Sequence, residues 1–399
     1  MSNILAGKKS WSDPSSGEFK RQVSQFREFI SKDHPVFKPE KNRYHLYISL
    51  ACPWASRVAV ARGLLGLTNV ISLSIVHWYM ETTTNEDAQP IQGWRFLPIN
   101  EYSPSTTISN GDKSDRFGIL SDLTRFKDDI NNRTHSFNNC FNDGNKYDFD
   151  GTIDHVHGFE FIRDLYYQTN PCFEGRFTVP VLYDLKTKTI VNNESSEILR
   201  MFGDENGLLQ FADKSTQAVT TLYPKDLAKE IDFWNDKIYE PINNGVYKTG
   251  FAEKIGPYEE NFYKLFDSLN DIETYLANKY TISDLFDNEK QLFLVGNQLT
   301  EADIRLYVTI VRFDPVYHQH FKCNLKMIRH DYPFIHNWLL KLYYDKSGYF
   351  KDTTNFAHIK LHYTRSHKRI NPLNITAIGP TPNIYTLDQY IDSIKHLKN

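Results

Sequence analysis

Hydrophobic and polar positions alternate along residues 44–50, whose sequence is YHLYISL. A period of two is typical of a β-strand with one buried face. Helical spacing then begins at Pro53, which suits the first helical position because that position leaves its N–H unpaired in any case, and it continues to Gly66. Residues 70–76 (VISLSIV) predict a second strand, so the chain opens its first domain with a β-α-β unit.

A hairpin is predicted farther along, from residues 176–184 (RFTVPVLYD) and 189–191 (TIV). Pro180 lies near the start of its first strand and cannot donate a hydrogen bond to a neighbouring strand. It therefore indicates either an edge strand or a cis-proline, which would leave the backbone of Val179 free to bind a peptide-like ligand. The sequence leaves both interpretations open.

From residue 224 onward the apolar spacing is helical and predicts an all-α domain at 224–350. Two stripes carry the pattern: Leu227, Ile231, Trp234 and Ile238, then Tyr258, Phe262, Leu265, Phe266, Leu269, Ile272 and Leu276. Residues 299–304 (LTEADI) predict a capping box between Thr300 and Asp303 with Leu299 packed on Ile304, and we assign them to folding.

The remaining segments lack clear periodicity. Residues 1–43 are polar and contain Pro35 and Pro39, which predicts an extended arm before the domain at 44–210. A polar stretch at about 97–156 predicts either a lid or a tolerated insertion, of which we favour the second. We expect deletions within 100–150 to leave folding and turnover nearly intact. Residues 351–399 hold three prolines and predict a tail that wraps over the surface.

Composition narrows the function classes. The 399 residues are 40% hydrophobic, and 46 Lys and Arg against 49 Asp and Glu give a formal charge of −3, which provides no electrostatic footprint for nucleic acid or a membrane surface. No apolar stretch approaches the roughly 18 residues of a membrane span, and the N-terminus lacks a signal-peptide core. The four cysteines form no CxxC pair, so we expect reduced thiols and a cytoplasmic protein.

Cys52 is the candidate nucleophile, because it lies between a predicted strand and the proline that begins a helix. Free N–H groups at a helix N-terminus can lower a thiol pKa from about 8.5 to between roughly 3.5 and 7.5, and the thiolate is the reactive form. Ala55 occupies the position of the second cysteine in a dithiol motif. A disulfide of Cys52 must then be opened by an external thiol such as glutathione. The alternative is a buried, inert cysteine.

The order of these elements is that of a glutathione transferase, with a thioredoxin-like α/β domain followed by an all-α domain. Eight motifs resemble the glutathionyl-hydroquinone reductases, also called Xi-class or omega-like glutathione transferases, and the yeast members look closest. These motifs are CPWA at 52–55, GWRF at 93–96, RFTVPV at 176–181, NESS at 193–196, GVYKTGFA at 245–252, LTEADIRL at 299–306, RFDPVY at 312–317 and HIKLHY at 358–363.

The resemblance implies a role for each matching residue. Cys52 is the nucleophile, Trp94 and the segment Arg176, Phe177, Thr178, Val179 and Pro180 hold glutathione, and Glu194 and Ser195 bind its γ-glutamyl end. Tyr247 moves the proton at the quinol, while Tyr317 and Tyr363 lower the pKa of Cys52 by hydrogen bonding. It also implies a homodimer that acts on glutathione and quinone-derived small molecules without a metal.

Alternatives accompany several of these assignments. Helix capping alone would explain Glu194 and Ser195, and His318, His320 and Cys323 have a spacing that could suit a metal. For function, the leading hypothesis is reduction of glutathionyl-hydroquinones. The others are a broader thiol transferase or dehydroascorbate reductase at the same site, and a non-catalytic binding module of the same fold.

Overall fold

The computed structural model describes residues 12–84, 90–97 and 151–398. Within them the first compact unit comprises 22–220 with 352–358, and the second comprises 12–21, 221–351 and 359–398. Most of the predicted insertion at about 97–156, with Cys140, lies outside the described residues. Among the helices described, none is long and apolar enough to cross a membrane.

Four strands of the first unit form a mixed sheet in the order β2-β1-β5-β6. The strands of this unit are β1 Tyr44–Ile48, β2 Ile71–Ile75, β3 Met80–Thr84, β4 Pro90–Trp94, β5 Val181–Asp184 and β6 Thr189–Asn192. β1 runs parallel to β2 and antiparallel to β5, while β3 and β4 pair in a separate sheet. Because β5 lies between β1 and β6, the edge-strand interpretation of Pro180 is wrong.

β1 is buried on both faces, whereas its alternating sequence predicts one buried face. The second face can be covered because its polar atoms are hydrogen-bonded. The two ring nitrogens of His45 lie 2.6 Å and 2.9 Å from the hydroxyls of Ser72 and Ser74, and Tyr47 donates to Asp154 at 2.9 Å. Burial lowers the pKa of His45 well below its usual value, so its imidazole is neutral.

Three α-helices complete the described part of the first unit: α1 Pro53–Leu64, α2 Ile162–Thr169 and α3 Ser195–Phe202, with a 3₁₀ turn at Leu208–Phe211. Every residue of α1 is buried. Since β1 and β2 are buried as well, the core fixes the position of Cys52, the residue that precedes α1.

Part of the predicted N-terminal arm extends the sheet. Arg27 forms a bridge with Asn192 of β6, the N–H of Glu28 donates to the carbonyl of Val191 at 3.1 Å, and the N–H of Asn193 donates to the carbonyl of Phe26 at 3.0 Å. We call residues 24–28 the edge segment. It covers the outer edge of β6 and the residues that lead into α3.

The second unit contains α-helices and two π-helical turns. The helices are α4 Ala228–Ile238, α5 Gly245–Gly250, α6 Ile255–Lys279, α7 Ile282–Phe286, α8 Glu301–Arg312, α9 His318–His320, α10 Ile328–Asp331, α11 Pro333–Tyr343, α12 Tyr349–Asp352, α13 Phe356–Ser366 and α14 Leu387–Ser393. Asp352, which ends α12, and residues 356–358, which begin α13, belong to the first unit. The π turns are Tyr239–Asn243 and Phe313–Tyr317, and a 3₁₀ turn at Lys395–Lys398 follows α14.

The C-terminal residues are more regular than their sequence predicts. α13 is buried along most of its length, and α14 begins with a capping box in which Thr386 accepts from the N–H of Gln389. The guanidinium of Arg329 also donates to the carbonyls of Pro382 and Asn383, both at 3.0 Å. A prediction from periodicity misses α13 because both its polar and its apolar faces are covered.

The predicted capping box at the start of α8 is present. One carboxylate oxygen of Asp303 accepts from the N–H and the hydroxyl of Thr300, and the other accepts from the N–H of Leu294 at 2.9 Å and the indole N–H of Trp338 at 3.0 Å. Asp303 is fully buried and makes all four contacts as an acceptor. Its role is to join α8, α11 and the preceding loop.

We expect Asp303→Asn to lower the free energy of unfolding by about 3 kcal/mol, because the new amide group would place a donor against donors in a buried site. Asp284→Asn is the matched control, since Asp284 caps α7 in the same way but is more exposed, and it should cost about 1 kcal/mol. Urea unfolding curves measure both values. Equal losses for the two variants would show that Asp303 is only a local cap.

Candidate active site

Cys52 occupies the N-cap position of α1, with extended backbone angles (φ −80°, ψ 120°) and Pro53 at the first helical position. Its own N–H donates to the carbonyl of Ser49 at 3.2 Å, and its carbonyl accepts from the N–H of Ser56 at 3.0 Å. The side chain is partly exposed. A thiol at this position lies next to the first N–H groups of the helix, which stabilise an anion.

The other described cysteines are free thiols in different settings. Burial raises the pKa of Cys323 far above the ordinary value, so this thiol is inert. Cys172 is exposed in the loop after α2. Of the three cysteines that the structure describes, Cys52 is the one at a helix N-terminus.

Val179 and Pro180 are joined by a cis peptide bond, as one of the two sequence interpretations predicts. The carbonyl oxygen of Val179 lies 3.6 Å from Sγ of Cys52 and accepts a weak hydrogen bond from the thiol. The loop before β5 therefore meets the start of α1 at the candidate nucleophile. A peptide-like ligand that binds the Val179 backbone would lie beside this sulfur.

The hydroxyl of Tyr166, in α2, links two predicted binding segments by hydrogen bonds. Its hydroxyl donates to the carbonyl of Thr178 at 2.8 Å and lies 3.2 Å from both the N–H of Thr178 and the amide nitrogen of Asn193. Burial raises the pKa of Tyr166, so the phenol stays protonated. Nothing in the sequence around this tyrosine indicates the role of its hydroxyl.

Arg176 and Phe177 begin the loop that ends at Pro180. Burial lowers the pKa of the Arg176 guanidinium to about 10, which still leaves it charged at neutral pH. A partly desolvated cation favours contact with an anion. Phe177 packs its ring against Tyr166, Tyr167 and Phe173, with ring centroids 5.3–5.6 Å apart, so its side chain belongs to the core.

Glu194 and Ser195 form the start of α3. One oxygen of the Glu194 carboxylate accepts from the N–H of Ser196 at 3.3 Å, which caps the helix. Ser195 is buried, at 2% exposure, and its hydroxyl has no hydrogen-bond partner among the described residues. Because buried hydroxyls are nearly always paired, capping alone does not account for Ser195, and a ligand group would satisfy it.

Trp94 is the last residue of β4 and pairs with Met80 across the two-stranded sheet. It is buried, at 5% exposure. The structure thus places Trp94 in a different sheet from the one that leads into Cys52, although both belong to the first unit.

The three predicted catalytic tyrosines form a hydrogen-bonded chain in the second unit. The hydroxyl of Tyr363 lies 2.5 Å from that of Tyr247 and 2.9 Å from that of Tyr317. Burial, followed by the two neighbouring phenols, raises the pKa of Tyr363 well above its usual value. Three hydroxyls have three protons, and two of them fill the two hydrogen bonds. One proton therefore remains for an acceptor outside the chain.

The two π turns position two of the three tyrosines. Tyr317 is the last residue of the turn Phe313–Tyr317, and the turn Tyr239–Asn243 leads into α5, which carries Tyr247. Each turn contains a proline, Pro315 or Pro241, which lacks the N–H that a regular helix would use. A proline within an otherwise helical pattern is the sequence signal for these irregularities.

The alternative metal site is not assembled. Nε2 of His320 lies 3.3 Å from a ring nitrogen of His367, and the Cys323 thiol donates to the carbonyl of Phe321 at 3.8 Å. Within the described part of the chain, no group of three or more His, Cys, Asp or Glu residues is placed to hold a metal ion.

Residues 257–340 match the family described as glutathione S-transferase, C-terminal domain. The chain is 46% identical over 386 residues to glutathione S-transferase omega-like 2 of Saccharomyces cerevisiae, a match that covers 95% of this chain and 100% of that protein. It is 37% identical to the glutathionyl-hydroquinone reductase YqjG of Escherichia coli, covering 93% and 92% of the two chains.

A solved structure is also similar to this chain over nearly its whole length. The Xi glutathione transferase ECM4 of Saccharomyces cerevisiae in complex with glutathione superposes with a TM-score of 0.77 at 46% identity, covering 93% of this chain and 99% of that one. The predicted fold class, an α/β domain followed by an all-α domain, is confirmed. The chain is an enzyme of the glutathione transferase superfamily and belongs to its omega-like, Xi-class group.

Proposed function

We propose that this protein reduces glutathionyl-hydroquinones to hydroquinones with glutathione as the co-substrate. The observation that carries the proposal is the position of Cys52, a single partly exposed thiol at the start of α1, 3.6 Å from the Val179 carbonyl. A single nucleophilic thiol beside the Val179 peptide group suits attack on a sulfur within a bound peptide.

In the first step the Cys52 thiolate attacks the sulfur of the glutathionyl group. A sulfur–sulfur bond forms, the carbon–sulfur bond breaks, and its electron pair passes to the ring carbon, which takes up a proton. Cys52 is oxidised to a mixed disulfide with glutathione and the hydroquinone is released. The proton requires an acid, and Tyr247 is the candidate that the family resemblance supplies.

In the second step the thiolate of another glutathione attacks the glutathione sulfur of the mixed disulfide. Oxidised glutathione leaves and the Cys52 thiolate is restored. The nearest alternative resolving thiol would be a second cysteine in a dithiol motif, but that position is Ala55. The single-thiol chemistry thus needs a supply of reduced glutathione, which fits a reducing, cytoplasmic setting.

For glutathione binding, we assign one group of the first unit to each part of the tripeptide. The Val179 backbone would pair with the central peptide unit, Arg176 would face a carboxylate, and Glu194 with Ser195 would bind the ammonium and carboxylate of the γ-glutamyl end. Trp94 would contribute an apolar wall. The buried, unpaired hydroxyl of Ser195 and the desolvated charge of Arg176 support these assignments.

The relatives support the reaction and its substrate class. One of them, at 37% identity, is named a glutathionyl-hydroquinone reductase, and a related yeast transferase has been solved with glutathione. We extend the quinone-derived substrate and a homodimeric state to this chain on that basis. The competing function, exchange of glutathione mixed disulfides, uses the same thiol but needs no carbon acid.

We expect oxidised glutathione to load one glutathione onto the protein, at Cys52, because this thiol lies at the N-terminus of α1 while Cys323 is buried. Mass spectrometry of peptides locates the adduct. Cys52→Ser should abolish loading and turnover, while Cys172→Ser should leave both unchanged. An adduct on Cys172 with Cys52 unmodified would rule out the proposed nucleophile.

Tyr247→Phe should lower kcat for a glutathionyl-hydroquinone by about two orders of magnitude and have little effect on mixed-disulfide reduction. The reason is that cleavage of a carbon–sulfur bond requires a proton at carbon, whereas disulfide exchange does not. Tyr258→Phe is the control, since its hydroxyl donates to the Lys322 carbonyl, apart from the tyrosine chain. Steady-state assays with both substrates give the comparison, and equal losses in the two reactions would contradict the role of Tyr247.

Tyr166→Phe should raise KM for glutathione five- to tenfold, because it releases Thr178 and Asn193 from the same hydroxyl. It should also lower the melting temperature. Tyr183→Phe separates the two effects: its buried hydroxyl bonds Gln168 and His157, so we expect lower stability with an unchanged KM. Matching KM values for the two variants would show that Tyr166 has no special connection to the binding segments.

A further inference from the structure

The edge segment lies against the start of α3, where the proposed site binds the γ-glutamyl end of glutathione. Its position is fixed by main-chain hydrogen bonds of Phe26 and Glu28 to Asn193 and Val191. Arg27 adds an ion pair with Glu197, in the first turn of α3, through its Nε at 2.7 Å. These contacts hold the segment in place without any contribution from Ser24.

Ser24 instead contacts the proposed ligand-binding carboxylate. Its hydroxyl lies 3.0 Å from Oε2 of Glu194 and 3.3 Å from the carbonyl of Asn193. The other carboxylate oxygen, Oε1, accepts from the N–H and the hydroxyl of Ser196 at 3.3 Å and 3.1 Å. Each oxygen of Glu194 therefore has a donor from a different part of the chain, and the plane of the carboxylate is set by both.

We propose that Ser24 is a positioning residue for glutathione, which acts by orienting Glu194 toward the ammonium of the γ-glutamyl group. The proposal rests on the proposed function, since it needs Glu194 to bind glutathione. A carboxylate accepts an ammonium well only when its lone pairs point at it, and a glutamate side chain free to rotate loses part of that interaction. Ser24 thereby connects the edge segment to the proposed binding site.

The first test is Ser24→Ala against Ser24→Thr, with kcat and KM for glutathione measured separately. Loss of a hydrogen bond to a charged group should raise KM roughly five- to twentyfold while kcat at saturating glutathione stays within about twofold. Ser24→Thr retains the hydroxyl and should restore KM. Arg27→Gln is the matched control, because it cuts a bond from the same segment to the same helix but leaves Glu194 untouched.

The second test is a double-mutant cycle with Glu194→Gln. Glu194→Gln should raise KM for glutathione more than Ser24→Ala does, and adding Ser24→Ala to it should have little further effect. Melting temperatures of all variants identify any loss of folding.

The outcomes distinguish failure of the inference about Ser24 from failure of the proposed glutathione site. If Glu194→Gln raises KM and Ser24→Ala does not, the inference about Ser24 is overturned and the proposed glutathione site stands. If Arg27→Gln raises KM as much as Ser24→Ala, or the effects of Ser24→Ala and Glu194→Gln simply add, Ser24 does not act through Glu194. If Glu194→Gln leaves KM unchanged, the proposed γ-glutamyl site itself is wrong.

Discussion

The carbonyl of Val179 affects the ionisation of the Cys52 thiol. In the thiol form Cys52 donates to this oxygen at 3.6 Å. Once the proton is lost, the sulfur has no hydrogen to donate and faces the negative end of the carbonyl dipole. The thiolate therefore depends on other hydrogen-bond donors. The first N–H groups of α1 are the nearest of these in sequence. An amide N–H from a bound peptide would occupy the Val179 oxygen. Ligand binding and loss of the thiol proton would then favour each other.

This arrangement depends on polar groups that lie behind the site and touch no ligand in our proposal. The Tyr166 hydroxyl holds Thr178 on one side and Asn193 on the other, and so links the loop before Pro180 to the start of α3. The edge segment covers the outer side of Asn193. Because buried polar groups cost free energy when unpaired, these bonds set the spacing of the binding segments as firmly as the apolar core does.

The sequence predicts the elements that carry local signals. The strand before Cys52, the helix that begins at Pro53 and the capping box of α8 each depend on a few neighbouring residues, and the structure has all three. The sequence leaves the conformation of Pro180 open because the choice depends on whether β5 has a neighbour on each side, which is a property of the sheet.

Other features depend on distant residues and have no local signal. Ser24 meets Glu194 across 170 positions, and Tyr166 meets Asn193 across 27. The second buried face of β1 needs Asp154, which lies near the end of the stretch predicted as an insertion. In each case the amino-acid type is compatible with many roles, and the role becomes clear only from the tertiary contact. The residues that hold the proposed site in place are thus harder to predict than Cys52 itself.

The tyrosine chain limits how the catalytic roles can be shared. The sequence resemblance gives Tyr247 a proton to deliver and gives Tyr317 and Tyr363 hydrogen bonds to donate to a thiolate, which would require three protons directed outward. With both internal hydrogen bonds formed, the chain has one. If Tyr247 delivers it, Tyr363 can donate to the oxygen left behind and Tyr317 can donate to Tyr363. The negative charge left on Tyr247 is then stabilised through two hydrogen bonds in series, which lowers the cost of giving up the proton. The geometry therefore favours a role for Tyr363 and Tyr317 in the acidity of Tyr247.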